Sequence, residues 1–468
     1  MPQPVYISGH AGTGKTTKLL ELTAIYARQL LVGPHQRVLA MAYMHGARRR
    51  LESSLDGDAK CAKIPRLVTT IDSFALSLVN RWRASLGFAL PVAPTKVAVN
   101  APFERHYRLW MPFSQIASLA SELLRRPTVA RLAGASYPLV VIDEFQDCAG
   151  PKLDVICALA DVSHLLVAAD SFQLLQSDVV GCPAVEWIDG LGDGGLRERH
   201  ELTDPHRTDD QGILNAARAL RENTPVAGAS VPVCYGPAVP TAFRIMERLA
   251  LGWDGPRWTG TTAIICPASG GIVDSVLKEL AGHLKKRGRS PISWVQQTTS
   301  EEEQRRLYGA LGIARTDDQA QWQATANPET SLATEVAERA RRFARLRGLD
   351  RITNDLIAAV ADQTIHASRA YCRTSGKYII TTVHGAKNRE FDNVFVLWPY
   401  RLPGNAELHR RLLYNALTRA KINCMILDTR KKAVVEGDPV MQLLGSPQPA
   451  VPPKPKKKTK KQDAGRCS

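Results

Sequence analysis

The stretch that most constrains this chain is PVYISGHAGTGKTTKLLEL at residues 4–22, where a short apolar strand runs into a glycine-rich loop and then an amphipathic helix beginning near Gly14. Gly9, Gly14, Lys15 and Thr16 satisfy the phosphate-loop spacing GxxxxGK[ST], with Gly12 and Thr17 inside the same turn. Glycines let backbone N–H groups wrap phosphate oxygens, and the helix N-terminus adds a favourable dipole. Lys15 is expected to reach the β and γ phosphates, and the Thr16 hydroxyl to bind Mg²⁺. Such a unit belongs in an open α/β sheet.

Hydrolysis also needs a metal carboxylate and a group that polarises water. Tyr137 to Asp147 reads YPLVVIDEFQD, in which Leu139 to Ile142 form a buried parallel strand with carboxylates at its end. Side chains there face the ligand crevice of an α/β sheet. Asp143 is expected to hold Mg²⁺ and Glu144 to polarise the attacking water. The alternative is that both merely cap the following helix.

Charge points to an extended anionic partner. The 468 residues carry 61 Lys+Arg against 45 Asp+Glu, a net charge of +16. From 447 onward the chain is proline-rich and then lysine-rich, with almost nothing apolar to bury, and is expected to be disordered. The nine cysteines are scattered with no CxxC pair, which favours a reducing cytoplasm and no zinc site. No apolar run is long enough for a membrane span and no signal peptide is evident, so a soluble cytoplasmic protein is expected.

Together these motifs resemble the superfamily-1 helicases of the UvrD/Rep/PcrA type. DEFQD at 143–147 and the loop at 9–17 carry the resemblance, and the remaining motifs follow in that family's order. LAMAYMHGARRRLESSL at 39–55 and TTIDSF at 69–74 are similar to the first two DNA-contact motifs. LLVAADSFQ at 165–173 resembles the segment that senses the γ-phosphate through Gln173. LTDPHRT at 202–208 resembles the one carrying a first arginine finger, Arg207. TTVHGAKNREFDNVFVL at 381–397 and RRLLYNALTRAK at 410–421 resemble the last two, the second bearing Arg419.

The resemblance implies two RecA-like parallel-sheet cores with nucleotide between them. The first would use residues 1–75 and 137–235, and the second residues 236–296 and 376–446. Helical insertions would occupy 76–136 and 297–375, with the Lys/Pro-rich tail at 447–468. It further implies ATP and Mg²⁺ as cofactors, with Glu390 on the ribose and His206 where the family stacks a tyrosine on adenine. Tyr43, Thr70, Ser73 and His384 would contact DNA; of the Arg48-Arg49-Arg50 run beside them, which cannot share one helix face, at most one or two are expected to touch DNA and the others to form a solvated face. The activity implied is an ATP-dependent single-stranded DNA translocase or helicase, of 3′→5′ polarity by the Lys387 form of its motif. Its substrates would be single-stranded or tailed duplex DNA. The rival is a DNA-sensing ATPase switch acting on a protein partner, such as a nuclease or repair factor, for example in phage defence.

Departures concentrate in the DNA-contacting segments. Leu174-Leu175-Gln176-Ser177 stands where the family carries aromatic stackers, Asp72 replaces a histidine, and Asn388 replaces a glycine. Only four residues precede the strand at Val5, where the family has a glutamine-containing segment that reads adenine.

Overall fold

Two all-parallel sheets organise the chain. The first runs, edge to edge, Arg66–Thr70, Val38–Ala42, Leu139–Ile142, His164–Ala169, Val5–Gly9, Glu198–Leu202. The second runs Val295–Gln296, Tyr378–Thr382, Thr262–Cys266, Phe391–Trp398, Ala420–Asp428, Val233–Tyr235, Gln448–Pro449. The computed structural model describes residues 3–95, 102–105, 108–176, 181–253, 255–267, 270–296, 300–313, 320–323, 331–371, 376–387 and 389–451. Asn388 and the tail from 452 lie outside them.

Strand composition follows from burial on both faces. Along Leu139–Ile142, Leu139 and Val141 enter one core cluster while Val140 and Ile142 enter the other, so every position is apolar. Phe391–Trp398 does the same in the second sheet, with Val394 and Val396 on one face and Phe395 and Leu397 on the other. The helix after the phosphate loop, Lys15–Leu30, buries Leu19, Leu22 and Tyr26 against the first sheet.

Three expectations need correction. The stretch up to residue 235 does not all belong to the first core. After Glu198–Leu202 the chain crosses at 203–210, and helix Gln211–Glu222, capped by Asp210, packs Ile213, Ala216 and Leu220 into the core of the second sheet. Strand Val233–Tyr235 pairs there with Ile426 to Asp428. The first insertion is not purely helical, because Val92–Thr95, Phe103–Arg105 and Arg108–Pro112 form a small sheet. Its helices Phe113–Arg125 and Pro127–Ser136 merge Ile116, Leu123 and Val129 with the first core. The tail begins later than 447, since Gln448–Pro449 pairs with Cys234 and Tyr235 and Ala450 is buried.

The second insertion contains helices Ser300–Ala310, Ser331–Arg347 and Asn354–Tyr371, which close on a separate core that includes Leu307, Val336 and Ile357. Among the described residues no helix is long and apolar enough to cross a membrane.

Candidate nucleotide cleft and the adjoining groove

A cavity of about 190 Å³ lies where the two sheets face one another. Gly12, Gly14, Lys15, Thr16, Thr17, Arg50, Asp143, Glu144, Gln173, His206, Arg207, Glu390 and Arg419 line it. These side chains come from both lobes and from the crossing segment between them. Gly9 is the one residue expected at the nucleotide that does not line the cavity; its carbonyl accepts from Lys15 Nζ at 2.8 Å.

The loop geometry requires its glycines. Gly12 and Gly14 both have φ of +83°, and a Cβ on Gly12 would lie 2.8 Å from the Cβ of Arg207. The crossing segment is bonded directly to this loop, His206 N–H donating to Gly12 O at 2.8 Å. His206 itself is exposed at the cavity's mouth. Lys15 Nζ also donates to His10 O at 2.9 Å, and burial lowers its pKa against the opposing pull of Asp170, Glu144 and Asp143.

Thr16 Oγ1 donates to Asp143 Oδ2 at 3.1 Å, joining the helix start to the end of strand Leu139–Ile142. Burial, and then the adjacent Glu144, raise the Asp143 carboxyl to about 6. Glu144 has φ of 58°, a left-handed conformation rare for a non-glycine residue. Burial raises its pKa, but Lys15, Lys387 and a hydrogen bond from Gln146 Nε2 outweigh that and hold it below the ordinary carboxylate range. Gln146 is itself fixed, its Oε1 accepting from Asp170 N–H at 3.0 Å.

Asp170 joins the two lobes. It accepts from Gln173 Nε2 at 3.1 Å, from Tyr414 Oη at 3.3 Å and from Arg221 Nη1 at 2.6 Å. The Tyr414 hydroxyl in turn accepts from the phosphate-loop N–H of Ala11 at 3.0 Å, and the ring of Phe172 meets that of Tyr414 edge-on at 5.1 Å. A residue five positions before Arg419 in the second lobe thus touches the backbone of the glycine-rich loop.

The arginines are arranged around Glu390. Arg207 Nε lies 3.0 Å and Arg50 Nη2 3.3 Å from Glu390 Oε1, while Lys421 Nζ is 3.3 Å from Oε2. Burial raises the Glu390 pKa, but Arg207, Arg50 and Lys421 together hold it at about 2. Arg207 Nη1 also donates to Thr418 O at 2.8 Å, bridging to the residue before Arg419. Arg419 is buried, with Nε on Asn415 O at 3.0 Å. Arg50 takes neither of the roles expected for the arginine run, DNA contact or solvated face, because the helix His45–Gly57 turns it into the cavity while Arg48 pairs with Glu52 at 3.2 Å.

Residues 1–178 match the AAA domain family and residues 377–427 the UvrD-like helicase C-terminal domain family, so the matched segments hold Lys15, Asp143, Glu144, Gln173, Glu390 and Arg419. These two matches support a UvrD/Rep-like superfamily-1 helicase. The chain is similar to a solved structure described as the PRRSV helicase at 11% identity, with a TM-score of 0.34 over 91% of this chain and 52% of that one. The chain therefore spans about half the length of that structure. No curated protein matches it.

Beside the cleft, at the C-terminal ends of strands Val38–Ala42 and Arg66–Thr70, lie the first-lobe residues expected to contact DNA, a surface termed the groove. Tyr43 is half-buried, with its hydroxyl accepting from Gln176 Nε2 at 3.1 Å and Lys152 Nζ 4.3 Å from its ring centroid. Thr70 is buried, and its hydroxyl caps the next helix by accepting from Ser73 N–H, while Ser73 is exposed. The second lobe repeats that device: Thr382 accepts from Gly385 N–H at 3.1 Å and leaves His384 exposed. A buried ion pair joins the lobes here, Lys387 Nζ lying 2.7 Å from Asp147 Oδ1. Leu174 and Leu175 are both buried and offer no platform.

Sequence reasoning missed Arg50, Tyr414, Arg221 and Lys152. The buried positions Ala47, Leu51 and Leu55 mark the core face of the helix at 45–57 and so set where Arg50 points, but that phase emerges only once the helix is docked.

Proposed function

We propose that this chain is a nucleic-acid-stimulated ATPase of helicase type that moves along single-stranded DNA and unwinds tailed duplexes with 3′→5′ polarity. The observation that carries the reading is the single cavity in which Lys15, Thr16, Asp143, Glu144 and Gln173 meet Arg207, Glu390 and Arg419. Thr16 and Asp143 would hold Mg²⁺, which would supply positive charge to offset that of the transferred phosphoryl group. The residues fit that ion, because the Thr16 hydroxyl and the Asp143 carboxylate, 3.1 Å apart at the cavity wall, bring together two hard oxygen donors.

In this reading Lys15 exchanges the carbonyls of Gly9 and His10 for phosphate oxygens. Glu144, held by Gln146, orients and polarises the attacking water. Gln173, fixed on Asp170, senses whether the terminal phosphate is present. Arg207 leaves Glu390 for the γ-phosphate, joined by Arg419 and Arg50, and Glu390 is released toward the ribose with His206 at the base. Closure on ATP and opening after hydrolysis alternate the grip of the two lobes on the strand. Tyr43, Thr70 and Ser73 serve the first lobe and His384 the second.

A second reading, an ATPase switch that senses DNA and regulates a partner, draws support from the burial of Leu174 and Leu175 where relatives stack bases. ATP hydrolysis measured with and without single-stranded DNA, followed by unwinding of duplexes tailed at the 3′ or 5′ end, separates the two. Stimulation with unwinding from the 3′ tail is the expected result. Stimulation without unwinding favours the switch, and no stimulation by any single strand rejects both.

A further inference from the structure

The groove contains an ion pair that the nucleotide cycle does not use. Lys152, at the start of helix Pro151–Ala160, places Nζ 2.8 Å from Asp72 Oδ2, with the two side chains 20% and 23% exposed. The same ammonium lies 4.3 Å from the centroid of the Tyr43 ring. Asp72 Oδ1 has no hydrogen-bond partner among the described residues, so Lys152 is the one donor its side chain holds there. Tyr43 is fixed from the far end by Gln176, whose amide also donates to Asp147 O at 2.9 Å. Four segments distant in sequence therefore converge to seat one cation.

An ammonium carries three donors. Asp72 takes one, and the face of Tyr43 stabilises the charge without consuming a donor. Among the described residues no other hydrogen bond takes up the remaining donors, and Ser73, next to Asp72 in the chain, is exposed at the start of the helix Ile71–Arg81. A base cannot occupy the ring face that Lys152 covers. Since Leu174 and Leu175 are buried and supply no second platform, stacking is a poor source of grip in this region.

We infer that Lys152 is a strand-phosphate ligand, oriented by Asp72 as a positioning residue, and that at Tyr43 the chain holds a single strand by charge instead of by base stacking. The inference rests on the single-strand reading above and names how that site recognises its substrate. Its signature is indifference to the bases. One phosphate contact on a single strand contributes about 0.7 to the slope of log affinity against log salt.

The test is binding of the full chain to a thymidine oligonucleotide and to an abasic strand of equal length across a salt series, with thermal melting as the control for folding. Lys152→Gln keeps a hydrogen bond within reach of Asp72, and Lys152→Arg keeps the charge. The expected result is a slope shallower by about 0.7 for Lys152→Gln on both strands, restored by Lys152→Arg. An unchanged slope, or a loss confined to the base-bearing strand, overturns the inference while leaving the ATPase reading intact. If Lys152→Gln melts early, Lys152→Arg against wild type on the abasic strand still decides, because weak abasic binding by both rejects a phosphate contact. Wild-type protein that binds no single strand at low salt rejects the inference and the function proposed above together.

Discussion

The cleft and the groove sit side by side at the C-terminal ends of different strands of the same sheet, yet they depart from the family pattern to different degrees. In the cleft the expected charges are present and mutually fixed: Thr16 on Asp143, Gln146 on Glu144, Gln173 on Asp170, Arg207 on Glu390. In the groove Asp72 replaces a histidine, leucines replace aromatics, and a lysine covers the one tyrosine. Phosphoryl transfer depends on several charges held at fixed positions, so removing any one is costly. Holding a polymer depends on a sum of weak contacts, in which charge and stacking are interchangeable.

That contrast can be broken most directly at the arginines. Arg207→Ala or Arg419→Ala is expected to lower DNA-saturated ATP turnover by about 10³-fold or more, as loss of an arginine finger does, and steady-state hydrolysis at saturating ATP reads it. Glu144→Gln is expected to cost roughly 10²–10⁴-fold in turnover while ATP stays bound in a filter or fluorescence assay, whereas Lys15→Ala should lose turnover and binding together. A Glu144→Gln protein with near-normal turnover would mean that another group positions the water. On the polymer side, cutting the chain at Pro452 removes six lysines. If about five of them pair with phosphates, the salt slope on single strands becomes shallower by about 3.5, or roughly 100-fold in affinity over a fourfold salt change. DNA-saturated turnover should be unaffected, and equal slopes for both lengths would remove the tail from the account. The smallest effect is expected for Tyr414→Phe. It deletes the hydroxyl shared by Ala11 N–H and Asp170, worth about 1 kcal/mol, so ATP affinity should weaken about fivefold with little change in DNA binding.

Much of the first lobe was legible because its signals are local. A four-residue apolar run ending in two carboxylates reads as a strand buried on both faces, and Leu139–Ile142 is one. The phosphate loop reads itself, since glycines at fixed spacing reflect backbone demands within a few residues. The crossing at 203–210 was not legible. Val233–Tyr235 is only three residues long, and its partners at 426–428 lie nearly two hundred positions away. The small sheet at 92–112 was missed for the same reason, its strands being short and without an alternating pattern. Arg50 and Lys152 escaped because a charged side chain carries no periodicity. Whether it faces solvent, a phosphate site or a tyrosine ring depends on how its helix is docked.

The placement of Arg207 has a mechanical corollary. It sits on the peptide that tethers one lobe to the other, hydrogen-bonded through its neighbour His206 to the phosphate loop on one side and through its own guanidinium to Thr418 on the other. Any widening of the gap must pull on that tether, so the position of this cation reports the separation of the lobes, and no independent hinge is needed to synchronise the two.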